Sequence, residues 1–166
     1  MVTPHIETLC TLLAQVLGAR HLSLCTAESC TGGLISASCT QLSGSSAWFD
    51  RGFVTYSNTA KTDMLGVSPT TLARFGAVSE EVAREMALGA LTRAKVHLAI
   101  SVTGIAGPGG SEFKPEGRVC FGLATSLGTL PQTVSETCDF GPLGRAAVRA
   151  AAVAHALALL QNATKS

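Results

Sequence analysis

The sequence predicts a single-domain α/β fold, a three-layer α/β/α sandwich with a mixed sheet of about five or six strands. Apolar runs of strand length alternate along the 166 residues with segments of helical periodicity. Hydrophobic residues make up 46% and charged residues 14%, which is typical of one domain with a large core. Two late strand-like runs, 119–125 and 133–140, are joined only by a turn near Gly128, so part of the sheet should be antiparallel.

Local signals predict the elements of the first half. Apolar residues that recur every three to four positions predict a helix at 4–19. An apolar run predicts a strand at 22–27, and a stretch of small residues predicts a helix at 33–42 that can pack tightly on the sheet. A serine-rich loop at 43–46 then leads to a second strand at 49–56.

Capping residues mark the helices that follow. Serine and asparagine side chains are good N-caps, and they precede predicted helices at 58–65 and 80–95, with a short helix at 70–75 between them. The run at 98–103 is apolar enough for a strand that is buried on both faces. An alanine-rich helix is predicted at 143–160.

Composition and charge exclude several function classes. The net charge of +1, without a basic stripe, argues against a nucleic-acid partner. No signal peptide is evident at the start, and the longest apolar stretch, 150–160, is too short to span a membrane, so we expect a cytoplasmic protein. Six cysteines without a CxxC pair indicate free thiols, and four scattered histidines do not predict a zinc site.

The segment TAESCTGG at 26–33 is the first of three that could carry chemistry. Its pattern predicts a tight turn from strand to helix, with hydroxyls and backbone N–H groups around a spot that favours negative charge. Ser29 is a candidate nucleophile, and the N–H groups of Cys30 and Thr31 would form its oxyanion hole. Alternatively, Ser29 or Thr31 only caps the helix. Cys30 is a rival nucleophile with no histidine beside it in the sequence.

A second segment, Tyr56-Ser57-Asn58-Thr59-Ala60-Lys61, also lies at the end of a predicted strand. The positive end of the helix dipole disfavours the ammonium form of Lys61, and burial would disfavour it further. A neutral lysine can take the proton of a serine hydroxyl, and Tyr56 could relay or position that proton. The alternative is an exposed lysine on a helix surface. Both segments follow strands, at the sheet edge where α/β folds bind ligands.

A glycine-rich loop and an arginine pair complete the candidate site. The loop at 104–117 begins after a buried strand, and its backbone N–H groups could wrap a ligand. Arg145 and Arg149 lie four residues apart near the start of the last helix, an unfavourable arrangement that a bound anion would reverse. Pairing of these arginines with Asp139 or Glu136 is the alternative.

The chain resembles the CinA C-terminal domain family of nicotinamide-nucleotide amidases, also called the PncC type. The motifs that carry this resemblance follow the family's order along most of the chain: TAESCTGGLIS at 26–36, GSSAWFDRGFVTYSNTAK at 44–61, FGAVSEEVAREMALGAL at 75–91, SVTGIAGPGG at 101–110 and KPEGRV at 114–119.

The resemblance implies hydrolysis of the carboxamide of nicotinamide mononucleotide, without a metal or cofactor, by a serine–lysine mechanism in a homo-oligomer. By motif position, it implies Ser29 as the nucleophile, Lys61 as the base and Tyr56 as an assisting residue. The expected substrate-binding residues are Cys30, Thr31, Gly32, Thr103, Gly104, Ile105, Gly107, Arg145 and Arg149. The competing hypothesis is a nucleotide-binding regulatory module without catalysis, since the same anion-binding groups would serve it.

Two positions depart from the family pattern. Gly144 stands where many relatives carry an acidic residue, and Glu116 replaces an apolar residue in a glycine loop that is slightly short. Neither departure changes Ser29 or Lys61.

Overall fold

The computed structural model describes residues 3–165 and shows six α-helices, five strands and a short 3-10 helix in that range. The helices are α1 (Pro4–Ala19), α2 (Leu34–Thr40), α3 (Asn58–Leu65), α4 (Pro69–Phe75), α5 (Glu80–Ala94) and α6 (Arg145–Ala163). The strands are β1 (Leu24–Glu28), β2 (Phe49–Val54), β3 (Leu98–Gly104), β4 (Arg118–Thr125) and β5 (Gln132–Asp139).

The sheet is mixed, as the sequence predicts. Its strand order is β2-β1-β3-β4-β5. The first three of these strands run parallel, and β4 and β5 continue the sheet in antiparallel pairing. The carboxyl ends of β2, β1 and β3 therefore lie side by side at one edge of the sheet.

Two apolar clusters cover the two faces of the sheet. On one face, side chains of β1, β3 and β4 pack with α1, α2 and α6; on the other, alternate residues of the same strands pack with α4 and α5. The alternation is visible in β3, where Ile100 belongs to the first cluster and Ala99 to the second. This period of two confirms the three-layer sandwich.

Small residues let α5 approach the sheet closely. A Cβ atom on Gly122 of β4 would lie 2.2 Å from the carbonyl oxygen of Ala83. That carbonyl accepts the hydroxyl of Ser101, which is fully buried in β3. A larger residue at either strand position would push α5 away.

The structure corrects several predicted boundaries. Helix α2 begins at Leu34 with Gly33 as its N-cap, so neither Ser29 nor Thr31 caps it. Strand β2 ends at Val54, which leaves Tyr56 in the connection to α3. The predicted loop at 43–46 runs into the 3-10 helix, Ser45–Ala47. Within the described residues, no helix is both long and apolar enough to cross a bilayer.

Candidate active site

Ser29 lies in the turn directly after β1, and this turn is anchored to the sheet. Its N–H donates to the carbonyl oxygen of Val102 on β3 at 2.9 Å, and its own carbonyl accepts the N–H of Gly32 at 3.0 Å. The residue is 8% exposed. The hydroxyl oxygen lies 3.1 Å from Lys61 Nζ, so two side chains 32 residues apart meet within hydrogen-bond distance.

Lys61 reaches Ser29 from the first turns of α3. Ser57 caps this helix through its hydroxyl, which accepts the N–H of Ala60 at 3.0 Å. The lysine is only 1% exposed, and its Nζ donates to the carbonyl oxygen of Thr55 at 2.8 Å. The prediction of an exposed surface lysine is therefore excluded.

The surroundings of Lys61 make its amine easier to deprotonate than that of an exposed lysine. Among residues 3–165, no ion pair joins Nζ to a carboxylate. Burial lowers the pKa of Lys61 from its ordinary value of 10.5, and the nearby Cys30 thiol opposes this only in part. A neutral amine has a lone pair that can accept the hydroxyl proton of Ser29, the geometry required of a general base.

The N-terminus of α2 is filled by a carboxylate of the chain itself. The buried side chain of Glu28 accepts the N–H groups of Gly33 at 3.0 Å, Ile35 at 3.1 Å and Ser36 at 2.8 Å. It also accepts the hydroxyl of Ser36 at 2.8 Å. The N–H groups of Gly33, Ile35 and Ser36 are therefore not open to a ligand, because Glu28 already binds them.

Two backbone donors of the turn stay open. Among the described residues, the N–H groups of Cys30 and Thr31 donate to no other residue. The Thr31 hydroxyl is fully buried and also has no partner in this part of the chain. Backbone donors without acceptors on other residues, in the turn that carries Ser29, suit an oxyanion hole.

Cys30 itself is a poor nucleophile. Its side chain is buried, and burial is the main cause that raises the pKa of the thiol to about 11. At neutral pH the thiol keeps its proton, so its nucleophilic form is scarce. This outcome favours Ser29 over Cys30.

Arg145 and Arg149 bring two guanidinium groups to the same edge. Arg149 donates to the Thr31 carbonyl oxygen at 2.9 Å, and its Nε is buried without a partner among residues 3–165. Arg145 donates to the Gly107 carbonyl oxygen at 3.1 Å and to the hydroxyl of Tyr56 at 3.0 Å.

The carboxylates proposed as alternative partners are engaged elsewhere. Asp139 pairs with Arg118, and Glu136 contacts His155. In the described range neither Arg145 nor Arg149 forms an ion pair with a carboxylate. The two arginines therefore have no carboxylate within ion-pair distance in this range, which suits groups that receive an anionic ligand.

The Tyr56 hydroxyl contacts the arginine group, which consists of Arg145 and Arg149, rather than Ser29 or Lys61. Its side chain is 62% exposed, and the one hydrogen bond of its hydroxyl in the described range is the bond with Arg145. A direct proton relay from Tyr56 to Ser29 or Lys61 is not visible. Its assisting role in catalysis stays a prediction.

The glycine-rich loop is shaped by close backbone contacts. A Cβ on Gly104 would lie 2.8 Å from the Val119 side chain, so this glycine allows β3 to pair closely with β4. Ile105 continues that pairing, since its N–H donates to the Arg118 carbonyl oxygen at 2.9 Å. Thr103 is a predicted substrate-binding residue. In the structure its hydroxyl donates to the Ala77 carbonyl oxygen of the chain itself at 2.8 Å.

Three contacts at the site were not found from the sequence. Glu28 stabilises the turn that carries Ser29, the Thr55 carbonyl fixes Lys61 Nζ, and Glu116 binds the glycine loop through the Gly109 N–H at 2.6 Å. Glu28 lies within the TAESCTGG motif, and its position just before the turn is a signal that could have identified it. The carbonyl of Thr55 has no signal in the sequence.

Comparisons with known proteins identify relatives of this chain. The chain is 50% identical over 161 residues to the nicotinamide-nucleotide amidohydrolase PncC of Escherichia coli (strain K12), covering 96% of this chain and 95% of that protein. It is 54% identical over 129 residues to a CinA-like protein of Chloroherpeton thalassium, of which it covers 31%.

A solved structure extends the similarity to the whole fold. The competence/damage inducible protein CihA from Agrobacterium tumefaciens superposes with a TM-score of 0.93 at 44% identity, covering 100% of this chain and 99% of that one. The family model of the CinA C-terminal domain matches residues 6–164. With its motifs, its fold and nearly its full length in agreement, this chain belongs to the CinA C-terminal domain family.

Proposed function

We propose that this chain hydrolyses the carboxamide of nicotinamide mononucleotide and releases nicotinic acid mononucleotide and ammonia. The observation that carries the proposal is the 3.1 Å approach of Lys61 Nζ to Ser29 Oγ in a buried position. The 50% identity to a protein named nicotinamide-nucleotide amidohydrolase supports the choice of substrate.

The first half of the reaction forms an acyl-enzyme. Neutral Lys61 takes the hydroxyl proton of Ser29, and the serine oxygen attacks the carboxamide carbon. The carbonyl oxygen becomes an oxyanion, which the N–H groups of Cys30 and Thr31 stabilise. When the tetrahedral intermediate collapses, its C–N bond breaks, and Lys61 returns the proton so that ammonia leaves.

The second half repeats the same proton transfers with water. Lys61 accepts a proton from a water molecule, whose oxygen attacks the ester carbon of the acyl-enzyme. Collapse of the second intermediate breaks the bond to Ser29, and Lys61 returns the proton to the serine oxygen. The product leaves as a carboxylic acid, and the enzyme regains its starting protonation state.

The phosphate of the substrate would bind the arginine group. Arg149 adjoins the nucleophile turn through Thr31, and Arg145 is held by Gly107 and Tyr56. Both are free of ion pairs with carboxylates among the described residues. In this proposal Tyr56 assists by orienting Arg145, and Gly32, Thr103, Gly104 and Ile105 shape the backbone around the ligand.

Ammonia release from the mononucleotide, from free nicotinamide and from the dinucleotide tests the proposal. We expect turnover with the mononucleotide and little with the other two. Ser29→Ala and Lys61→Met should each lower kcat by about 10⁴-fold or more, because they remove the nucleophile and its base. Ser46→Ala and Lys165→Met change exposed residues and should keep wild-type activity.

The same assay separates this function from its alternative. A regulatory nucleotide-binding module would bind the mononucleotide with wild-type affinity and release no ammonia. If Ser29→Ala retained near-wild-type turnover, the serine–lysine mechanism would be wrong even with the substrate confirmed. The expected homo-oligomer stays a prediction that sedimentation of the untagged protein can check.

A further inference from the structure

Three potential metal ligands converge between β5 and α6, away from the candidate active site. Glu136 and Cys138 are two residues apart on β5, so they point to the same side of the strand, and His155 faces them from α6. Cys138 Sγ lies 3.4 Å from His155 Nε2 and 3.8 Å from Glu136 Oε1, and the imidazole nitrogen contacts the same carboxylate oxygen. All three residues are half-buried.

The arrangement differs from a catalytic relay. In a Cys–His–Glu triad the thiol and the carboxylate would contact opposite nitrogens of the imidazole. Here both contact Nε2, so the three donor atoms surround one point. Such convergence is what ligands of a common cation show.

The two sulfur distances also fit a small tetrahedral cation, whereas the imidazole and the carboxylate are in direct hydrogen-bond contact and must separate to bind it. Zinc binds thiolate sulfur at about 2.3 Å, and imidazole nitrogen or carboxylate oxygen at about 2.0–2.2 Å. At tetrahedral angles these bonds separate sulfur from nitrogen or oxygen by about 3.6 Å. The two sulfur separations in this cluster, 3.4 Å and 3.8 Å, bracket that value.

Aromatic neighbours hold the imidazole in place. Its ring centroid lies 4.7 Å from that of Phe121 and 6.2 Å from that of Phe140. Packing against two rings limits the orientations of His155, which lowers the entropy cost of binding an ion. His155 follows Arg149 by six residues and Arg145 by ten on α6, so at a rise of about 1.5 Å per residue it lies about 9 Å and about 15 Å from them along the helix.

We propose that Glu136, Cys138 and His155 form a binding site for a divalent transition cation of the zinc type. Sulfur and nitrogen ligands favour such a cation over magnesium or calcium, which prefer oxygen. Binding replaces the thiol proton, which leaves to solvent, and the fourth coordination position is open to water. The ion joins the edge strand β5 to the middle of α6 and stabilises that contact.

Cobalt(II) titration of the untagged, chelator-treated full chain tests the site. We expect one equivalent to bind with a thiolate-to-cobalt charge-transfer band in the near ultraviolet and tetrahedral bands in the visible region. Zinc should displace the cobalt and raise the midpoint of thermal unfolding. Cys138→Ser should abolish the charge-transfer band, and His155→Gln and Glu136→Gln should weaken binding at least about tenfold.

Matched controls change the same residue types outside the cluster. Cys120→Ser, on the neighbouring strand, and His5→Gln, at an exposed position, should bind cobalt like the wild type. Absence of the charge-transfer band in the wild type, or a band that survives in Cys138→Ser, would overturn the proposal. If His155→Gln fails to fold, Glu136→Gln still decides, because its side chain is 45% exposed. None of these readouts depends on amidase activity.

Discussion

A hydrogen bond joins Glu116 to the backbone N–H of Gly144 and ties the glycine-rich loop to the start of α6. Glu116 Oε1 accepts this N–H at 3.1 Å, while Oε2 accepts that of Gly109 at 2.6 Å. At both positions we expect the sequence to depart from the family pattern, and the structure shows the two residues in contact. The carboxylate from Glu116 thus lies at the N-terminus of α6, where the helix dipole favours it.

Replacing Glu116 should loosen the loop without removing a group that reacts. We expect Glu116→Ala to lower the free energy of unfolding by about 1–3 kcal/mol, since two hydrogen bonds to a charged acceptor are lost. KM for the mononucleotide should rise more than kcat falls, because Arg145 is held against Gly107 in this loop. Urea unfolding and steady-state kinetics measure both. Glu112→Ala, at an exposed position in the loop, is the control; equal effects of the two variants would contradict this role.

Glu28 should be essential for the turn that carries Ser29. Glu28→Ala leaves the N–H groups of Gly33, Ile35 and Ser36 without their acceptor in a buried region, so we expect a loss of about 3 kcal/mol or more in unfolding free energy. Any folded fraction should have reduced kcat, because the turn that carries Ser29 is no longer fixed. Chemical denaturation with Glu7→Ala as an exposed control tests this. A variant as stable and active as the wild type would show that the carboxylate is dispensable.

Much of the fold and the proximity of Ser29 and Lys61 could be predicted because their signals are local. Apolar periodicity identified the strands and helices, and the motifs around Ser29 and Lys61 placed both residues after neighbouring parallel strands. Parallel strands end at the same sheet edge. The positions of Ser29 after β1 and of Lys61 after β2 therefore predict that the two side chains lie close together. Their contact at 3.1 Å agrees with this reasoning.

The remaining features depend on partners that are distant in the sequence. The helix-start pattern of α2 does not reveal that Glu28 occupies its N–H groups. The sequence also did not predict that Glu136, Cys138 and His155 lie together. These residues come from a strand and a helix that are separate in the sequence, so they show no HxxH or CxxC spacing. The expectation of no zinc site rested on spacing alone, and the cobalt titration now tests it.

The burial of Lys61 should lower the free energy of unfolding at neutral pH. A folded-state pKa below 10.5 means that the unfolded chain binds more protons between the two pKa values, so stability should rise with pH through that window. This gain in stability should be lost as pH falls through the folded-state pKa of Lys61. We expect Lys61→Met to gain about 0.5–2 kcal/mol at neutral pH, with a smaller gain as pH approaches 10.5. Denaturant unfolding at several pH values checks this, and a pH-independent difference would contradict it.

The reaction rate should follow the deprotonation of Lys61. Because only the neutral amine can accept the Ser29 proton, kcat/KM should rise with pH and level off above the pKa of Lys61 in the free enzyme. Burial lowers this pKa, so the midpoint should lie below the ordinary value of 10.5. Initial rates of ammonia release across the pH range of the folded protein measure the profile. A flat profile, or one that falls where a lysine should lose its proton, would exclude Lys61 as the base.

Arg149 should determine preference for the phosphorylated substrate. Its guanidinium binds the Thr31 carbonyl oxygen in the turn that carries Ser29 and has a buried, unpartnered Nε within the described range. A charge-assisted hydrogen bond to phosphate contributes about 1.5–3 kcal/mol, so Arg149→Ala should reduce the ratio of kcat/KM for the mononucleotide to that for the nucleoside by about 10- to 100-fold. Arg149→Lys should restore only part of this preference, because lysine keeps the charge but not the planar pair of donors. The nucleoside serves as the internal control, since a general disturbance of the turn lowers both rates together. An unchanged ratio in Arg149→Ala would place the phosphate elsewhere and leave Arg149 with a structural role on the Thr31 carbonyl.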